Sequence, residues 1–160
     1  MKRDEILRRH YLSKKEKDEI LKEVNSKLKI SLEPEKVEIL ESKEFSCYLF
    51  DSVPALCKTE DKFFPHLKYL LKHRDTILPK IFVDKGAVKP VSSGADLMAP
   101  GIVRIEGDFL PGDIVIVEDL EHKLPIAVMI AEMSSAEMKV TKRGRVARNI
   151  HYVGDKFWNV

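Results

Sequence analysis

The chain has little with which to do redox or zinc chemistry. Its 160 residues hold two cysteines, Cys47 and Cys57, each inside an apolar, strand-like stretch and in no CxxC or Cys/His spacing. Buried free thiols are the expectation for an intracellular chain, and a disulfide is open only if the two strands pair. Long apolar runs are missing as well, since none approaches the roughly 20 residues a membrane helix needs. Met1-Lys2-Arg3-Asp4-Glu5 lacks an apolar export segment, so a cytoplasmic protein without a membrane partner is expected. Net charge is also scarce, at +2 from 28 basic and 26 acidic side chains. Overall charge therefore argues nothing about nucleic acid, and only its distribution can. Internal repeats and low-complexity segments are absent.

The motifs of catalysis are missing too. None of the five histidines lies in an H-E-x-x-H or comparable metal spacing, and His66 and His73 read as surface or helix-face residues. Ser92-Ser93-Gly94 has no G-x-S-x-G context, and no G-x-G-x-x-G or G-K-[ST] pattern is present. No catalytic residue, metal ligand or cofactor is assigned, and the protein is not expected to be an enzyme.

What is present is alternating punctuation. Ser13 with Glu16 makes a capping-box start, and Ile20, Leu21, Val24 and Leu28 recur at helical spacing until Glu33-Pro34 breaks the pattern. Val37 to Leu40, Phe45 to Phe50 and Val53 to Lys58 read as an antiparallel meander, with Pro54 marking the last as an edge strand. Phe63, Phe64, Leu67, Leu70 and Leu71 return to helical spacing and predict a second core-facing helix. Leu78-Pro79 ends that unit. Beyond it, turn signals precede Ile114 to Glu118, Ile126 to Met133 and Arg145 to Val153, a spacing that favours a small barrel or pseudobarrel over βαβ units. Ser134 or Ser135 caps one helical turn to Met138.

The most distinctive stretch is Val83 to Ile102, punctuated by Gly86, Gly94 and Gly101. Val83 to Val91 reads as extended. Ser92 and Ser93 read as N-caps of a short helix through Gly94, Ala95, Asp96 and Leu97, which Pro100 ends. Lys85 and Lys89 place positive charge beside Gly86 and Ala87, where a backbone could approach a phosphate; the competing reading is a turn with solubilising lysines. Further on, Lys139, Lys142, Arg143, Arg145 and Arg148 form a run without an acid, and Glu106, Asp108, Asp113, Glu118, Asp119 and Glu121 a stretch without a base. Charge alone leaves two readings open: one positive face, or two loops of opposite sign that attract each other.

Val83-Asp84-Lys85-Gly86-Ala87 and the glycine-alanine segment after it resemble the signature of the PUA domain, an RNA-binding module. Phe64-Pro65-His66-Leu67-Lys68-Tyr69-Leu70-Leu71, Ile77-Leu78-Pro79, Ile81-Phe82, Asn149-Ile150-His151-Tyr152 and Trp158 follow in the order of one family. That order resembles the malignant-T-cell-amplified-sequence family and its archaeal relatives. The resemblance implies an α+β protein: an N-terminal α/β pre-PUA domain over 1–78, then a PUA-type β-pseudobarrel over 79–160. It also implies RNA contacts at Gly86, Ala87, Ser93, Gly94, Ala95, Asp96, Met98, Pro100 and Gly101, with Asn149, His151 and Tyr152 opposite. Lys85, Lys89, Lys142, Arg143, Arg145 and Arg148 are the basic candidates beside them. Tyr152 has two fates open, stacking on a base or half-burial with its hydroxyl satisfied. Trp158 is read as a packing residue.

The implied function is RNA binding, to tRNA or ribosomal RNA, in translation at the small ribosomal subunit, in initiation, reinitiation or recycling. A partner like the density-regulated protein comes with that family. The alternative is an accessory RNA-binding factor for RNA modification or ribosome assembly, and a third reading is a protein-interaction adaptor. About eighty residues before Pro79 leave little room for a catalytic domain.

Overall fold

A computed structural model describes residues 6–28, 32–60, 62–74 and 76–160, so the N-terminal pentapeptide read for export lies outside the described residues. The chain divides into two compact units, Met1–Ile77 with Lys156–Val160, and Leu78–Asp155. Among the described residues no helix is long and apolar enough to cross a membrane.

The first unit is a five-stranded antiparallel sheet with two helices. Its elements are β1 (Ile6–Tyr11), α1 (Lys14–Leu28), β2 (Val37–Ser42), β3 (Ser46–Phe50), β4 (Val53–Lys58), β5 (Phe63–Pro65) and α2 (Leu67–Lys72), with strands side by side in chain order. The capping box forms: the Ser13 N–H donates to Glu16 Oε1 at 3.0 Å and the Glu16 N–H to Ser13 Oγ at 3.2 Å. Val24 and Leu28 bury the apolar stripe of α1. Strands β3 and β4 pair with Cys47 opposite Cys57, their Cα atoms 4.1 Å apart and their sulfurs bonded. The expectation of free thiols is thereby corrected, because the register leaves the two side chains face to face.

Two further readings change. Pro54 does not mark an edge, because β4 lies between β3 and β5. The register jumps from Leu49↔Pro54 to Tyr48↔Leu56, so Ala55 bulges where proline needs no ladder partner. Phe63 and Phe64 belong to β5 rather than to the second helix. Pro65 cannot donate into a helix, so α2 starts only after His66, whose Nδ1 accepts the Lys68 N–H at 3.0 Å. His66 is fully buried rather than a surface residue, and its Nε2–H donates to the Phe157 carbonyl at 2.7 Å.

That bond explains where the C-terminus goes. Phe157 packs edge-on against Phe45 at 4.7 Å and Phe64 at 5.0 Å, and Trp158 stacks on His66. The last five residues, assigned from sequence to the C-terminal domain, thus cluster with the first unit, whose aromatic core buries the Phe157 ring.

The second unit contains β6 (Lys80–Val83), α3 (Lys85–Ser92), β7 (Leu97–Met98), a 3₁₀ turn (Ala99–Gly101), β8 (Ile102–Glu106), β9 (Ile114–Asp119), β10 (Pro125–Ala131), α4 (Ser135–Val140) and β11 (Arg145–Tyr152). The strand order is β7-β11-β10-β9-β6-β8, antiparallel throughout except for parallel β6 and β9. The two end strands, β7 and β8, are consecutive in the chain and joined by the single 3₁₀ turn, which curls the sheet into a pseudobarrel. Ile81, Val83, Val115, Val117, Ala127 and Met129 fill its interior.

Phe157→Ala removes a ring that is 4% exposed and shared by two aromatic neighbours. The expected cost is about 3–5 kcal/mol, read as a lower denaturant midpoint for the first unit; an unchanged midpoint would show that the C-terminal segment contributes nothing there.

Candidate nucleic-acid interface

The segment from Val83 to Ile102 folds in the opposite sense to its sequence reading. Residues 85–92 are helical rather than extended, because the Asp84 carboxylate caps α3 by accepting the Ala87 N–H at 3.0 Å. Ala87, Val88 and Val91 fall on one face of α3 and join the core. Ser92 and Ser93 end this helix instead of starting another. The Gly94 N–H donates to the Val91 carbonyl and the Ala95 N–H to the Pro90 carbonyl, at 3.1 and 3.0 Å, the paired bonds of a Schellman motif. Gly94 sits at φ +104°, which that motif asks of its residue. Leu97 and Met98 then leave as strand β7.

Strand β11 receives the turn. Met98 lies opposite Arg145 and Leu97 opposite Ala147, and the Ala99 N–H donates to the Gly144 carbonyl at 2.9 Å. Asn149 does most of the fastening: its Nδ2 donates to the Val91 and Ala95 carbonyls, both at 3.0 Å, and its backbone N–H donates to Asp96 Oδ1 at 2.8 Å. A Cβ on Gly94 would stand 2.9 Å from Tyr152 Cε1, so the tyrosine ring lies directly on the turn. A Cβ on Gly101 would stand 2.9 Å from that of Ala87, so two small residues let α3 press on the 3₁₀ turn. By contrast, a Cβ on Gly86 would meet only Asp84 Oδ1, at 3.4 Å.

The geometry brings the glycine-bearing segment and the last strand together, yet it changes several individual assignments. His151 is fully buried with its Nδ1 on the Asp155 carboxylate at 2.9 Å, so it faces the interior instead of a ligand. Arg145 is held by Glu132 at 2.8 Å and Asp96 at 3.4 Å, and the hydrogen bond to Glu132, with its charge, raises the guanidinium further above its ordinary range. Its charge is answered within the protein. Asp96, expected from the family resemblance to contact RNA, spends one oxygen on the Asn149 N–H and the other on Arg145. Tyr152 is half-buried against the core, which takes the packing side of its two open fates. Lys85, Lys89, Lys142, Arg143 and Arg148 are exposed, and no ion pair of theirs occurs among the described residues. Ser93, Ala95, Met98 and Pro100 are exposed as well. The acidic stretch does not reach the basic run: Glu118 pairs with Lys80, Asp119 with His122, and Glu106 with Arg104. Among the described residues no group of three or more His, Cys, Asp or Glu side chains could hold a metal ion.

A pseudobarrel with this helix, turn and closing strand defines a PUA domain, and a PUA domain model matches residues 79–153. A second model, described as a domain of unknown function, DUF1947, matches residues 8–73. The chain belongs to the family that joins this pre-PUA domain to a PUA domain, the archaeal-type relatives of the malignant T-cell-amplified sequence proteins. An uncharacterised protein of Methanocaldococcus jannaschii is 43% identical over 97% of this chain and 98% of its own. Translation machinery-associated protein 20 of Schizosaccharomyces pombe is 39% identical over 59% of this chain, and malignant T-cell-amplified sequence 1 of Rattus norvegicus 35% identical over 63%. The match spans only 54% and 57% of those two eukaryotic proteins. Among solved structures, a conserved PUA domain protein from Thermoplasma acidophilum superposes with a TM-score of 0.82 at 33% identity, over 95% of this chain and 98% of the other.

The two helix-flanking glycines separate fold from surface. Gly94→Ala is expected to destabilise the second unit by about 1–3 kcal/mol through its positive φ and its clash with Tyr152. Gly86→Ala, inside a helix and meeting only the Asp84 carboxylate at ordinary contact distance, is expected to be neutral or stabilising by up to about 1 kcal/mol. Thermal unfolding of both variants checks the contrast; equal losses would refute it.

Proposed function

We propose that the chain is a non-catalytic RNA-binding factor of translation that works in the cytoplasm at the small ribosomal subunit, in initiation, reinitiation or recycling. The observation that carries this reading is the PUA domain with five exposed cations, without an ion pair among the described residues, around the helix–turn segment and the last strand. The names of the relatives, translation machinery-associated protein among them, support the process. The ligand is structured RNA, tRNA or ribosomal RNA. A partner like the density-regulated protein belongs to the same reading.

In this reading Lys85, Lys89, Lys142, Arg143 and Arg148 contact phosphates. Exposed Gly86, without a side chain, lets RNA come close to the first turn of α3, where Asp84 already takes the Ala87 N–H and Gly101 makes room for Ala87. Ser93, Ala95, Met98 and Pro100 line the turn that meets bases or sugars. Gly94, Asp96, Arg145, Asn149, His151 and Tyr152 hold the surface rather than touch RNA. Asp96→Ala is accordingly expected to cost stability, about 1–2 kcal/mol from the lost bonds to Asn149 and Arg145, instead of changing preference among RNAs.

The test is a set of binding titrations against tRNA and small-subunit ribosomal RNA fragments at several salt concentrations. Lys142→Ala with Arg143→Ala should weaken all RNAs about equally and make the salt dependence shallower, by roughly one to two in slope. Absence of RNA affinity at every salt concentration would overturn the proposal. Sedimentation with precursor particles instead of mature small subunits would favour assembly over translation.

A further inference from the structure

Strand β1 is an open edge. Among the described residues it pairs with β2 alone, at one end of the five-stranded sheet. The Leu12 N–H donates to the Val37 carbonyl at 2.8 Å, and the register runs Tyr11↔Glu38, His10↔Ile39, Arg9↔Leu40. Alternation of an antiparallel ladder then turns the N–H and C=O of Arg9 and Tyr11 outward. No partner takes them among the described residues.

Edge strands are usually short, covered or blunted by charge. This one carries two arginines but leaves both faces bare. Five of its six residues are exposed, and Ile6, Leu7 and Tyr11 are 50%, 55% and 61% accessible. On the helix side, α1 stands off: Val24 and Leu28 reach the core, but Ile20 is only half-buried. An open groove remains there between β1 and α1, bordered by Arg8 and His10 on one rim and Glu16, Glu19 and Glu23 on the other. Side chains of an added strand would therefore have room on both faces.

We propose that β1 receives an extended, acidic segment of a partner protein as a sixth strand of this sheet. Backbone bonds to Arg9 and Tyr11 supply affinity, and charge sets the choice of partner. Arg9, Tyr11 and Lys36, whose ammonium lies 6.0 Å from the Tyr11 ring, share one face, so carboxylates at alternate partner positions meet cations there, while the other face, where Arg8 and His10 stand among Glu16, Glu19, Glu23 and Glu41, takes apolar side chains. Glu38 and Glu41, which pair with Arg9 and Arg8, lie on β2, one strand further from the newcomer. A second copy of this chain would instead bring four arginines along one joint, which like-charge repulsion opposes. The surface lies in the first unit and is independent of RNA binding.

The experiment is an NMR titration of the ¹⁵N-labelled full chain with a capped peptide alternating valine and glutamate, with a valine–lysine peptide as control. The expected result is saturable slowing of hydrogen exchange at the Arg9 and Tyr11 amides by the acidic peptide only, weakened by salt. Lys36→Ala, which removes the ammonium beside the Tyr11 ring, should weaken peptide affinity by roughly two- to fivefold. Tyr11→Pro, which removes an outward N–H at an edge where proline is tolerated, should abolish it. If the proline variant does not fold, the Lys36→Ala result decides. The proposal is overturned by unchanged exchange at those amides, by equal response to both peptides, or by concentration-dependent protection without peptide, which would make a second copy the occupant.

Discussion

One asparagine holds the working face of the second unit together. Asn149 uses every donor it has on the turn after α3: two side-chain N–H bonds to the Val91 and Ala95 carbonyls and a backbone bond to Asp96. The Val91 carbonyl lies in the last turn of α3, where acceptors have no intrahelical partner, and the Ala95 carbonyl in the turn that follows. The register shift in β11 makes this reach possible. Val128 faces His151 and Met129 faces Asn149, so Ile150 bulges and Asn149 is re-aimed toward the turn. From that clamp the rest follows. Gly94 is drawn under the Tyr152 ring, Leu97 and Met98 are delivered to the edge of β11, and Arg145 comes within reach of Asp96.

The electrostatics of this unit depend on which charges the fold consumes. A net charge of +2 conceals a division. Acidic side chains are largely used up locally, by Lys80, His122 and Arg104, and Asp113 caps the Leu110 N–H at 2.9 Å. In the basic run Arg145 is consumed in the same way, while Lys142, Arg143 and Arg148 keep exposed charge. The exposed pair Arg104–Glu106 is worth about 0–1 kcal/mol, so its consequence is for the surface potential more than for stability.

Much of the fold was legible because it rests on local chemistry. The Ser13–Glu16 box, the three strands of the meander, the turn before Ile114 and the Ser134 cap are each specified within a few residues. The errors fell where two local signals compete. Ser92-Ser93-Gly94 carries both an N-cap signal and a C-terminal glycine signal, and the apolar spacing of Ala87, Val88 and Val91 decides for a helix before it. Asp84, three residues ahead of Ala87, was the overlooked start. Phe63 and Phe64 fit helical spacing, but Pro65 after them forbids it. Strand β1 offered no alternation to read, because neither of its faces is buried. The disulfide required long-range register, which two isolated cysteines do not encode. In the candidate site the sequence points to the glycine-bearing segment and the last strand, which the fold brings side by side, while the inward turn of His151 and the pairing of Arg145 depend on partners 4 to 49 residues away.

The central claim is that RNA lies on the face where α3 and its turn meet β11. Ultraviolet crosslinking of the full chain to tRNA and to small-subunit ribosomal RNA, with crosslinked peptides mapped by mass spectrometry, tests it most directly. The account predicts crosslinks within 85–101 and 142–152, with exposed Met98 among them and buried His151 not. Crosslinks confined to the acidic stretch between Glu106 and Glu121, or to the first unit alone, would contradict it.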